Sequence, residues 1–114
     1  MFMRVHRQGK EVIVALCDAE LIGKVLKGGE AVLDLKKYGD FYKGEKVKVG
    51  GAGKAGKKGE AGADERKVAK ALGEATSINA VGKKAVGLVS RELEVEPESV
   101  KSVGGVPHVQ VYKV

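Results

Sequence analysis

Glu11-Val12-Ile13-Val14-Ala15-Leu16-Cys17 is the stretch on which the fold turns. Val12 to Cys17 is an unbroken apolar run, rich in β-branched residues and bounded by Gln8-Gly9-Lys10 on one side and Asp18 on the other. A run of this length between turn signals reads as a strand buried on both faces, so it is placed at the centre of a sheet. Upstream, Phe2 to Arg7 alternates and completes a hairpin across the polar turn.

Downstream, Asp18 can cap a short helical turn through Glu20, Leu21 and Ile22. Gly28-Gly29 breaks the chain, and Ala31, Leu33 and Leu35 alternate as a third strand against Glu30 and Asp34. Tyr38 to Lys46 is rich in turn residues but carries three of the five aromatic residues, which predicts a segment anchored by packing. Asp64 and Glu65 open a helix with Val68, Ala71, Leu72 and Ala75 on one stripe. Thr76-Ser77-Ile78-Asn79 reads as a connection to a second helix over about Ala80 to Leu93, with Val81, Ala85, Leu88 and Val89 facing inward. Beyond Pro97, Val100 to Val103, the Gly104-Gly105 turn, and His108, Gln110 and Tyr112 alternating with Val109 and Val111 give a closing hairpin. The order β-β-β-α-α-β-β predicts a single small α+β domain: a mostly antiparallel or mixed sheet of about five strands with two main helices packed on one face.

The 114 residues suffice for one core without staples, and a single cysteine, Cys17, excludes an internal disulfide and any CxxC motif. The longest apolar run is far below the roughly 20 residues that span a bilayer, and the start lacks an apolar signal core. A cytoplasmic protein without membrane association is expected. Charged residues make up 32% of the chain while Gln8, Asn79 and Gln110 are its only amides, the usage of hyperthermophile proteins.

The formal charge is +6, and its location matters more than its size. Lys43 to Lys58 holds six lysines against Glu45 alone, a net +5, which leaves +1 for everything else. Within it, Gly50 to Gly62 contains six glycines and three alanines and offers almost nothing to bury, so a flexible insertion is expected there. Gly51 to Lys57 satisfies a G-x-G-x-x-G pattern and most of a P-loop. Lys58 stands where the P-loop needs a hydroxyl for Mg²⁺, and Gly59 and Gly62 delay the helix that both patterns require. The loop is read as a basic appendage, with Lys54, Lys57 and Lys58 available to a polyanion.

The start of the second helix is the sharper candidate. Asn79 is positioned as an N-cap, and Gly82, Lys83 and Lys84 follow where positive charge opposes the helix dipole instead of complementing it. Free N–H groups and two lysines together suit a phosphate. The arrangement also approaches a helix-hairpin-helix element, with only one of its glycines in place. His6, Gly105 and His108 form a second candidate, a ligand cleft, if the first and last strands approach one another. Tyr38, Phe41 and Tyr42 form a third, a face for a protein partner. No catalytic set, metal set or cofactor motif is assigned.

Met3-Arg4-Val5-His6-Arg7, Val14-Ala15-Leu16-Cys17-Asp18, Phe41-Tyr42-Lys43-Gly44, Ala75 to Gly82 and Gly104 to Val111 together resemble a small archaeal family catalogued as "domain of unknown function 424". The resemblance covers roughly residues 3–47 and 64–114, with the Gly/Lys stretch as an insertion. It implies an archaeal cytosolic protein and supplies no reaction or site residue. The function expected from the residues is non-enzymatic binding of RNA or another polyanion through the basic loop and the helix start. A small-ligand protein or enzyme built on His6, Asn79 and His108, or a protein-interaction subunit, stands as the alternative.

Overall fold

The computed structural model describes residues 1–47, 63–93 and 95–113. β1 (Phe2–Gln8) and β2 (Glu11–Cys17) form the expected hairpin, in register from Phe2 opposite Cys17 to Gln8 opposite Glu11. A 3-10 turn (Ala19–Leu21) leads to a separate two-stranded sheet, β3 (Val25–Gly28) and β4 (Ala31–Asp34). Then come the short helix α1 (Gly39–Tyr42), β5 (Glu45–Lys46), helix α2 (Ala63–Glu74), β6 (Ser77–Val81), helix α3 (Lys83–Leu93), β7 (Lys101–Val103) and β8 (Val106–Tyr112). The main sheet has six strands in the order β5-β1-β2-β6-β8-β7. It is mixed: β2 and β6 are parallel and the other pairs are antiparallel.

β2 is central, as its composition demands, with Val14 to Cys17 all fully buried. The strand beside it was not expected. Ser77-Ile78-Asn79-Ala80-Val81 is not the tail of an inter-helix turn but the second central strand, and the helix after it begins only at Lys83. Thr76 clamps the entry to this strand, because its N–H and its hydroxyl donate to the Val12 carbonyl while its Oγ1 accepts the Val12 N–H. The alternation of β6 divides the core in two. Ile78 and Ala80 face α2 and α3 and pack with Val14, Leu16, Val68, Leu72, Leu88 and Val89. Val81 faces the other way, with Ala15 and Cys17, and meets Leu21, Leu26, Leu35 and Tyr42 from the 18–47 excursion. Both main helices therefore lie on one face, as predicted. The excursion covers part of the other.

Candidate functional site

The strand register assigns residues of the second face to three cross-sheet rows. Phe2, Cys17, Val81, His108 and Lys101 form the first; Arg4, Ala15, Asn79 and Gln110 the second; His6, Ile13, Ser77 and Tyr112 the third. The excursion buries the middle of the first row, and α1 ends its cover over the second. An open cleft of about 340 Å³ remains, floored by Ile13, Ser77 and Asn79, walled by Phe41 on one side and by Gln110 and Tyr112 on the other. Gln110 and Tyr112 also line a smaller cleft of about 150 Å³ shared with Ser99, Lys101 and His108.

A chain of contacts crosses this face. His6 Nε2 bonds the Phe41 carbonyl at 2.8 Å, and its ring stacks on the Phe41 ring with centroids 4.4 Å apart. Tyr42, edge-on to Phe41, donates its hydroxyl to Asn79 Oδ1 at 2.7 Å, and His108 Nε2 donates to the same oxygen at 3.1 Å. Both lone pairs of Oδ1 are thus used. The Asn79 side chain also lines the open cleft. Because His108 donates from Nε2, its neutral ring keeps an acceptor at Nδ1. Burial lowers the His108 pKa from the ordinary imidazole range. It also pushes the Tyr42 hydroxyl up, with neighbouring Cys17 as a lesser cause. The Cys17 thiol is pushed up to about 12 by burial first and by Asp18 and Glu20 second.

Asn79 and His108 do meet, but His6 and His108 do not. Two strands separate them and they lie two rows apart, so three interstrand steps and four residues along the strands put them roughly 20 Å apart. Gly105 lies elsewhere, at the β7–β8 turn, where it lines a third cavity with Gly82, Lys83 and Lys84. The expected His6, Gly105 and His108 cleft is therefore three separate places. Among the described residues, no group of three His, Cys, Asp or Glu side chains could hold a metal ion.

The helix start also needs correction. Asn79 does not cap α3, because it sits inside β6. The cap is Asp18, only 3% exposed, whose Oδ2 accepts the Lys84 N–H at 3.0 Å and whose Oδ1 accepts the Ala85 N–H at 2.9 Å. Asp18 makes no side-chain bond to the 3-10 turn that follows it. Its carboxylate supplies the anion that Gly82, Lys83 and Lys84 called for, and the lysine side chains project to the exterior. The aromatic face divides too: Tyr42 is 4% exposed, Phe41 is half-buried against His6, and Tyr38 alone is open at 57%. Lys54, Lys57 and Lys58, with the Gly50 to Gly62 stretch, lie outside the described residues. Sequence reasoning missed Tyr112 and Gln110 as site residues. Their alternation with Val109 and Val111 was visible, but which face of β8 stays open depends on where the excursion ends.

The chain matches the family described as Protein of unknown function (DUF424) over residues 56–114, just over half its length. It belongs to that family. A search of curated proteins returns no match. The chain is also similar to a crystal structure described as that of an uncharacterized conserved protein from Methanopyrus kandleri, with 28% identity and a TM-score of 0.70 over 97% of this chain and 89% of that one. The solved relative thus extends the likeness across the N-terminal half that the DUF424 match leaves out. Among the described residues, no helix is long and apolar enough to cross a membrane.

His108 gives this member of the DUF424 family a pH dependence. Its folded pKa lies below its unfolded one, so as pH falls through about 6.5 the unfolded chain takes up a proton that the native chain resists. The His108 contribution to stability is complete above the unfolded pKa and declines between that value and the lower folded one. Histidine proton NMR should show one imidazole titrating below the ordinary range, and chemical denaturation at pH 7.5 and 5.5 should show a smaller pH-induced loss in His108→Gln than in the parent. Equal losses in the two proteins would contradict the assignment.

Proposed function

We propose that this chain is a non-enzymatic, cytosolic binding protein for single-stranded nucleic acid, and that the strand lies on the uncovered part of the second sheet face. The observation that carries the reading is the composition of that surface. Tyr112, 73% exposed, stands beside Gln110 and opposite Phe41, over a floor that offers the Ser77 hydroxyl and the Asn79 amide. Exposed aromatic rings on an open sheet stack bases without strong sequence preference, and amide and hydroxyl groups read base edges. The two imidazoles serve the architecture, one bonded to Phe41 and one to Asn79, which favours binding over acid/base chemistry.

Charge supports the same reading. The basic run begins at Lys43, two residues after the Phe41 wall, and its first two lysines, Lys43 and Lys46, are exposed. Such a run supplies sequence-independent attraction to phosphates. The helix start is a weaker contributor than the sequence suggested, since Asp18 already neutralises it.

Fluorescence anisotropy with labelled ten-nucleotide RNA, the matching DNA and polyphosphate tests the proposal. Expected are binding of a single strand at 50 mM salt, a loss of about tenfold or more by 200 mM, and a further loss in Ser77→Phe, which fills the cleft from its floor. Binding of polyphosphate equal to that of RNA and DNA, or full affinity in a folded Ser77→Phe, would refute a base-binding face. Unequal affinities for RNA and DNA would show which of the two is the ligand.

A further inference from the structure

Resting on the single-strand reading, we propose that Tyr112 is a partition between two adjoining base sites, so that consecutive nucleotides bind with one base on each face of its ring. His108, Gln110 and Tyr112 alternate along one face of β8, and the last two line both clefts. Their side chains therefore form a ridge with a slot on either side. The slot toward β6 has Ser77 and the Asn79 amide for a base edge. The slot toward the sheet edge has Ser99, the His108 ring and Lys101.

The second slot suits one heterocycle and little more. Its 150 Å³ equals the liquid volume of about five waters. His108 offers a ring acceptor there, because its Nε2 is committed to Asn79. Lys101, directly opposite His108 and exposed, brings a cation to the phosphate that would cross the ridge. Lys113 is not the equivalent cation on the other side, since its amino group hydrogen-bonds the Leu72 carbonyl of α2. Tyr112 as a residue is 73% exposed, so the fold gains little from it. An exposed ring between two slots is a stacking platform with two usable faces.

Fluorescence titrations with adenosine monophosphate, the dinucleotide ApA and a 2-aminopurine-labelled decamer test this on the parent, Tyr112→Phe and Tyr112→Ala, with melting temperature as the control for folding. In the parent, ApA should bind at least about tenfold tighter than the mononucleotide. Tyr112→Phe should keep that ratio, and Tyr112→Ala should bring it toward one. Equal affinities of parent for ApA and mononucleotide, or an unchanged ratio in Tyr112→Ala, overturn the partition while decamer binding leaves the single-strand reading standing. Absence of decamer binding at 50 mM salt removes both.

Discussion

Gly82→Ala is expected to destabilise the protein by at least about 3 kcal/mol, the upper range for a single backbone substitution. Gly82 holds φ +108 at the junction of β6 and α3, and a Cβ there would lie 2.6 Å from Asp18 Oδ2 and overlap its Cγ. Neither side can yield cheaply. The Gly82 N–H donates to the Pro107 carbonyl, and the Gly82 carbonyl accepts the first helical bond, from Val86 N–H. Moving Asp18 instead would strip two N–H groups of α3 of their acceptor in a buried site. Urea unfolding should show the loss. Gly73→Ala in α2 is the control, because beyond its chain neighbours and the backbone of its own helix nothing lies within 4 Å of the added methyl, and it should stabilise by about 0.5–1 kcal/mol. A Gly82→Ala protein within 1 kcal/mol of the parent would show that the Asp18 cap is not rigid.

Asn79→Leu should cost about 2–6 kcal/mol, because it leaves the buried Tyr42 hydroxyl and the His108 Nε2–H without their common acceptor, at about 1–3 kcal/mol each. Asn79→Asp keeps an acceptor for both donors, so it should lose less than the leucine variant. Its negative charge beside the imidazole should raise the His108 pKa, which histidine NMR reads directly. Tyr42→Phe added to Asn79→Leu should cost less than the sum of the two single changes, since the orphaned hydroxyl is gone. Strict additivity, or a leucine variant no worse than the aspartate, would mean that the three side chains do not act together.

How far the residues announce this arrangement differs from element to element. β2 is legible because six apolar residues between turn signals have few other uses, and the α2 stripe and closing hairpin follow their periods. β6 is not legible, because it is only five residues long and Ser77, Asn79 and Ala80 are poor strand formers. Burial between β2 and β8 overrides their propensity. The same misreading turned Asn79 into a cap and hid Asp18, whose bonds span 66 and 67 positions. Local capping rules see a few residues and cannot find such a partner. The family resemblance was legible in its joint segments, yet it carried no site. Which half of the second sheet face stays open is a matter of where α1 comes to rest, and only tertiary structure decides it.

The parallel seam between β2 and β6 also governs the order in which this molecule can be assembled. Its register joins residues 13–17 to residues 77–81, whereas the β1–β2 hairpin needs only a local turn. A chain emerging from its N-terminus can form that hairpin early, but the other edge of β2, carrying the most apolar segment of the protein, waits for residue 81 before its native neighbour exists. Loop closure on this scale makes non-local strand pairing slow and leaves an unpaired strand edge exposed meanwhile. The ordering of the central sheet is therefore a late event in biosynthesis, and the second face is complete only after it.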